Sequence, residues 1–299
     1  MSEQRCKKMK FTKVPLLIFL LFISVNLSAQ VFSEFDVEVC NSKFSLALEK
    51  SLSQKPINEI IIEVAKSFLG TDYKASTLES SSDENLVINL SAFDCTTFIE
   101  NVIAISRCIQ KDKTTFEDYL AELQFIRYRN GEINQYPSRL HYFSDWIYNN
   151  AEKNIVIDMT KEIGGEPISF DVNYMSTHPN SYSQLKDNEE FISLIKIQEE
   201  QIGKRFYYFI PRNSVMEADE KINDGDIIAF TTNIEGLDIG HVGLAIRMGD
   251  GKIHLLHAPV VGSKVQISEF PISEYIKKVK KHTGIIVVRS IDVNSAGVK

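Results

Sequence analysis

The sequence predicts an α+β domain, and three observations carry that prediction. Apolar residues recur at helical spacing through the first half of the chain, above all at Ile57, Ile60, Ile61, Val64, Ala65, Phe68 and Leu69. From Ile222 onward the pattern changes to short apolar runs parted by Gly and Asp turns. Helices first and closely spaced strands afterwards imply helices packed on an antiparallel sheet rather than alternating βαβ units. The composition, 299 residues with 43% hydrophobic and 24% charged, lies in the ordinary globular range and supplies enough chain for one large domain.

The first 29 residues stand apart. Arg5, Lys7, Lys8, Lys10 and Lys13 precede an apolar run from Val14 to Val25, and Leu27-Ser28-Ala29 follows with small residues suited to cleavage. This predicts a signal peptide over residues 1–29 and a single domain over 30–299. The run is short for a membrane span, and no cysteine follows closely enough for a lipid anchor, although Leu27 three residues before the cut leaves an uncleaved anchor open. Cleavage would remove five basic residues and Glu3, taking the formal charge from −7 to −11. An acidic mature chain argues against a nucleic-acid partner. The expected location is the periplasm, and the expected state is a monomer without stable membrane insertion.

Taken in order, residues 30–54 read as a leader with a short helix around Phe44 to Leu52. Pro56 then opens the strongly periodic helix, and Gly70 closes it where a left-handed residue is wanted. After the polar stretch Ser76 to Asn85, Leu86 to Leu90 offers a short strand that leads to Phe93-Asp94-Cys95 and a further helix. Thr114-Thr115-Phe116-Glu117 has capping-box spacing and starts another helix that ends near Gly131. Pro137 and Ser138 open a helix with Leu140, Phe143 and Ile147 inward and Arg139, His141, Tyr142 and Trp146 on its other faces. Residues 161–187 read as a long surface loop, with helix returning from Asn188 to Gln201. Strands are then expected at Ile227 to Phe230, His241 to Met248, Ile253 to Ala258, Lys264 to Ser268 and Ile285 to Arg289, with a helix around Ile272 to Val279.

The chemistry centres on Cys95. Asp94 fits an N-cap, so the thiol falls in the first turn of a helix, where the positive end of the dipole favours the reactive thiolate. A cysteine before an apolar helix is also a common small core residue, so this stretch alone leaves both roles open. Cys40, Cys95 and Cys108 remain after processing, an odd number, with no spacing that suggests a metal site. Cys108 lies thirteen residues after Cys95 among Ile103, Ile105 and Ile109 and reads as core. A Cys40–Cys108 bridge stays possible.

A thiol nucleophile needs a base and a group that orients the base. His241 begins a strand, and His254 and His257 lie on its hairpin partner. A three-residue loop at Gly249-Asp250-Gly251 pairs Met248 with Lys252, which sets position 257 opposite 243 and 254 opposite 246. His257 then shares the face of His241, and His254 points away. A two-residue turn would reverse that parity.

Several segments in order resemble the NlpC superfamily of papain-like bacterial cell-wall hydrolases: Gly70-Thr71-Asp72-Tyr73, Phe93-Asp94-Cys95, Asp224-Gly225-Asp226-Ile227-Ile228-Ala229-Phe230, His241-Val242-Gly243-Leu244-Ala245-Ile246 and His257-Ala258. Asp94 to Asn101, Ser138 to Trp146 and Gly240-His241-Val242-Gly243 more narrowly resemble its N-acetylmuramoyl-L-alanine amidase-like branch, over most of residues 56–290. The resemblance implies a papain-like core, Cys95 as nucleophile, His241 as general base and His257 as the orienting third member. It implies Tyr73 as an oxyanion donor beside the Cys95 backbone N–H, with Asp94 in support. Thr96-Thr97 replaces the Ser-Gly that commonly follows the cysteine, and Lys74-Ala75-Ser76 replaces a Trp-Gly-Gly run, so a different substrate pocket is implied.

The implied activity is hydrolysis of the amide between N-acetylmuramic acid and L-alanine in peptidoglycan fragments, on soluble anhydro-muropeptides, with neither metal nor other cofactor. A γ-D-glutamyl-diaminopimelate endopeptidase and a non-catalytic muropeptide-binding protein are the alternatives. The chain between Cys95 and His241 is longer than in compact members of that superfamily, so residues 110–220 read as a large, mainly helical insertion that reshapes the cleft. Within it Trp146 is a candidate to stack on a sugar, and Arg139 and His141 to bind its hydroxyl or acetamido groups. Helix surface and core explain these three residues equally well. Ser176 and His178, in Tyr174-Met175-Ser176-Thr177-His178-Pro179, are further candidates for the cleft, or for ordinary turn roles.

Overall fold

The structure is a computed structural model that describes residues 30–79 and 83–293. The segment read as a signal peptide lies outside the described residues. Among them no helix is long and apolar enough to cross a membrane.

The first half is helical. A short strand β1 (Gln30–Val31) precedes α1 (Glu34–Glu49), which begins earlier than expected because Ser33 and Asp36 form a capping box, the Asp36 N–H lying 3.3 Å from Ser33 Oγ. Next come α2 (Ile57–Lys66) and the short strands β2 (Asp72–Tyr73), β3 (Leu86–Val87) and β4 (Ala92–Phe93). Gly70 takes φ +87° just past α2, the left-handed conformation its position called for. Helix α3 (Cys95–Gln110) follows, then α4 (Phe116–Arg127), whose capping pair is Thr115 with Asp118 rather than Thr114 with Glu117.

Every residue of α3 from Thr97 to Gln110 is buried, because α1, α2, α4 and the main sheet surround it. Such burial requires that its polar groups be partnered. Glu100 receives Arg127 at 2.6 Å, Arg107 reaches Glu122, and Tyr119 donates to Asn101. Removing one partner of such a buried pair costs about 3–5 kcal/mol, since the other charge is stranded.

Several parts of the insertion differ from the sequence-based expectation. Residues 139–142 stay outside helix, and α5 (Phe143–Glu152) starts at Phe143. Strands β5 (Val156–Asp158) and β6 (Glu166–Ile168), helix α6 (Tyr174–Thr177), helix α7 (Glu189–Gly203), strand β7 (Tyr207–Pro211) and helix α8 (Val215–Ala218) follow. Part of the segment read as a loop is therefore ordered by burial of Phe170, Val172, Met175 and Leu185, and the insertion contributes three strands to the main sheet.

The C-terminal part supplies β8 (Ile227–Thr232), β9 (Ile239–Arg247), β10 (Ile253–His257), β11 (Gln266–Ile267), α9 (Ile272–Lys278) and β12 (His282–Ser290). The sheet runs β11-β10-β9-β8-β12-β7-β6, all antiparallel, with β5 sharing the β7 edge of β12. Ala229, Val242, Leu244, Leu256, Ile286 and Val288 face the helical core, while Ile228, Phe230, Ala245, Leu255 and Val287 face α8 and α9. The molecule thus combines helices and an antiparallel sheet, as the change of pattern at Ile222 implied.

Candidate active site

Asp94 caps α3 through Oδ1, which accepts from the Thr97 N–H at 2.7 Å, and the Thr97 hydroxyl accepts from the Asp94 N–H at 3.0 Å. This reciprocal box fixes Cys95 as the first helical residue. The parallel pairing of β2 with β4 sets Tyr73 beside Phe93, two residues before the thiol.

Strand β9 approaches from the other side. Met248 donates to Lys252, so the hairpin turns through Gly249-Asp250-Gly251 and His254 stands opposite Ile246. The face assignment follows that register. His254 is spent structurally, its Nδ1 at 2.8 Å from the Ser268 carbonyl and its Nε2 at 3.2 Å from Asp250. His257 turns the other way, and its Nδ1 lies 2.7 Å from Nε2 of His241. Two glycines make this contact possible. Gly240 is the extra residue of a bulge that sets His241 directly opposite Phe230, on the α9 face. Gly243 leaves open the space beside His257.

Strand β10 ends at His257, and Val242, next to His241 on β9, lines the same cleft as Cys95 and offers its backbone N–H to the thiol. The thiol and the imidazole pair are thereby joined through adjacent residues of one strand. Because Nε2 of His241 is taken by His257, Nδ1 is the nitrogen left for other chemistry. Tyr275 of α9, His282 of β12 and Phe230 enclose the pair, with ring centroids 6.4, 6.5 and 6.2 Å from that of His241.

Burial dominates the electrostatics. It pushes His241 well below its ordinary value, with neighbouring His257 and His282 acting in the same direction, and it pushes His257 down to about 4. It also pushes the Cys95 thiol up to about 12, helped by the Asp94 carboxylate and opposed by the Val242 N–H and the Thr96 hydroxyl and N–H. Burial of the thiol therefore acts against the pull expected from its helix terminus. A dipole effect of about 1 kcal/mol is smaller than the desolvation of an ion, so both shifts favour a neutral thiol and a neutral imidazole in the free site. Burial raises Tyr73, which keeps its phenol a donor.

A cleft of about 180 Å³ opens on Cys95 and Thr96. One wall is Leu237 to Val242, and the opposite wall comes from Glu79 and the insertion, with Tyr136, His141, Tyr142, Met175 and Tyr182. His141 therefore lies in the cleft, where the insertion was expected to act.

Other expected sugar contacts are corrected by burial. Trp146 is fully enclosed and stacks on Phe143 at 4.9 Å, so neither ring face is open to a sugar. Arg139 is buried, with its guanidinium committed to Glu79, Glu84 and the Leu78 carbonyl. Ser176 turns its hydroxyl to the Asn173 carbonyl, and His178 stacks on Tyr174 at the exposed surface; neither lines the cleft. Glu79, Tyr136, Tyr182, Tyr275 and His282 escaped sequence reasoning. Glu79 sat in a polar serine-rich stretch, but His282, at the start of an apolar run, carried a legible signal. Cys40 and Cys108 are buried and unbridged.

Fold and site together bring a thiol at a helix terminus and a coupled imidazole pair to one cleft. Residues 63–285 match the family model described as AmiA-like, N-acetylmuramoyl-L-alanine amidase-like, and the chain belongs to that family. A solved N-acetylmuramoyl-L-alanine amidase from Bacteroides uniformis is 35% identical with TM-score 0.73, the match covering 79% of this chain and 99% of that one. A Bacteroides fragilis protein provisionally described as a xylanase is 37% identical over 76% of this chain and 99% of its own, with TM-score 0.70. A Legionella pneumophila protein at 19% identity and TM-score 0.64, covering 87% of this chain and 97% of its own, shares the fold. No curated protein matches the sequence.

Proposed function

We propose that the chain is a papain-like, NlpC-type cysteine amidase that cleaves the bond between N-acetylmuramic acid and L-alanine in soluble peptidoglycan fragments, with anhydro-muropeptides as substrates. The observation that carries this reading is the 2.7 Å contact between His241 Nε2 and His257 Nδ1, with His241 and Cys95 lining one cleft. His257, kept neutral by burial, accepts from the Nε2–H of His241, which leaves Nδ1 unprotonated and able to take the thiol proton.

Sulfur then attacks the lactyl carbonyl carbon of the sugar acid. The oxyanion is received by the Cys95 N–H and the Tyr73 hydroxyl. Collapse breaks the C–N bond while His241 returns its proton to the departing L-alanine amine, leaving a thioester on Cys95. Water, deprotonated by His241, attacks the thioester and releases the lactyl carboxylate and the thiol. Proton transfer accompanies attack, which suits a pair that burial holds neutral at rest.

The glycosidase description attached to one relative receives less support from this cleft. Its two carboxylates are held in other pairings, Glu79 through Oε1 by Arg139 and Asp238 by the N–H groups of Ser144 and Ile239. Export to the periplasm is proposed from the basic and apolar N-terminus. Mass spectrometry of the products from a muramoyl tripeptide tests the activity. Free sugar acid and a peptide beginning with L-alanine are expected; cleavage within the stem peptide with the lactyl amide intact would overturn the reading.

A further inference from the structure

The wall of the cleft facing Cys95 has a chemical bias. His141 Nε2 lies 2.9 Å from the Tyr136 carbonyl oxygen, which can only accept, so Nε2 carries the proton and Nδ1 is left as a bare acceptor. Burial and the Arg139 charge hold that ring in its neutral form. Glu79 adds a carboxylate whose Oε1 takes Arg139 Nη2 at 2.5 Å and the Tyr136 hydroxyl at 3.5 Å, and whose Oε2 is buried without a partner among the described residues. Arg139 is itself buried between Glu79 and Glu84 and does not line the cleft. Among the described residues, no lysine or arginine lines this space.

We infer that Glu79 and His141 form an acceptor wall that determines specificity at the sugar end of the substrate: it receives uncharged, hydrogen-bond-donating groups and rejects a muramoyl peptide phosphorylated at C1. The inference rests on the amidase reading and deepens it. A hydroxyl or acetamido N–H satisfies a bare acceptor, whereas a phosphate oxygen there meets a second lone pair and a carboxylate, and the cation behind the wall, Arg139, is already shared between Glu79 and Glu84. The substrate must then come from a reaction that cleaves glycan and leaves an uncharged sugar end. A nucleotide-linked or phosphate-linked precursor would be spared.

The test compares N-acetylmuramoyl tripeptide with the same compound carrying a 1-phosphate, using the purified protein. The phosphorylated compound should show kcat/KM lower by about 100-fold or more at low salt, mainly through KM, with the gap shrinking as salt is added. Glu79→Gln should narrow the gap by about tenfold. His141→Phe should raise KM for the neutral compound, and His141→Asn, which keeps an acceptor near Nδ1, should recover part of it. Turnover of the two compounds within about threefold, or a Glu79→Gln ratio equal to wild type, overturns the acceptor wall and leaves the amidase reading standing. Cleavage of both compounds within the stem peptide overturns the amidase reading and this inference with it.

Discussion

A Cβ atom at Gly243 would stand 2.9 Å from the Cβ of His257. It would also meet Leu255 Cγ at 2.6 Å, and both neighbours belong to the adjacent strand β10. The glycine therefore supplies the space through which the His257 imidazole reaches His241. Gly243→Ala should displace His257, lowering turnover more than tenfold and costing about 1–3 kcal/mol through overpacking. Thermal unfolding and kcat measured together check this, and a variant as active and stable as wild type would refute it.

If His257 orients the base as proposed, His257→Ala should lower kcat by about 10- to 1,000-fold while Cys95 and His241 stay in place. His254→Ala removes contacts to Ser268 and Asp250 and should change stability rather than turnover. Steady-state kinetics on the two folded variants distinguishes the roles. Equal loss of turnover in both would contradict the register argument.

Stability should fall on mild acidification. Burial lowers His257 and His282 to about 4 in the folded protein, with Arg212 adding to the effect at His282, against about 6.5 in the unfolded chain. The unfolded chain thus binds protons first as pH drops. The contribution is complete above about 6.5, declines between about 6.5 and about 4, and amounts to about 3 kcal/mol for each ring. Urea unfolding of wild type and His282→Phe at pH 7 and pH 4.5 tests the sign. The variant should lose less stability than wild type between the two values.

With the thiol raised and the base lowered, alkylation of Cys95 by iodoacetamide should climb with pH through the alkaline range and show no plateau near pH 6. A thiolate–imidazolium pair at rest would give that plateau, and a fast, flat rate across pH 6 to 8 would overturn the neutral resting site. The helix terminus was visible in Asp94-Cys95, but the burial that outweighs it depends on packing from β9 and α9, more than a hundred residues away.

The same division holds for the fold. Local signals marked α2 by its apolar period, Gly70 by its left-handed turn, and the β9–β10 hairpin by Gly249-Asp250-Gly251. The strands of the insertion were not legible, because β6 and β7 pair with each other and β7 with β12 across long sequence separations. Trp146 shows the corresponding limit for the site. An aromatic ring suits sugar stacking and core packing equally in sequence, and only the helix starting at Phe143 turns it inward. Glu79 became a cleft residue through Arg139, sixty positions away, which spacing alone does not reveal.

The central claim is that Cys95 is acylated by the muramoyl group, and intact-protein mass spectrometry after rapid acid quench with a muramoyl tripeptide tests it most directly. Wild type should carry a muramoyl adduct that maps to Cys95, and Cys95→Ala should carry none. An adduct containing the L-alanyl-D-glutamyl portion of the stem, or turnover that survives in Cys95→Ala, would contradict the account.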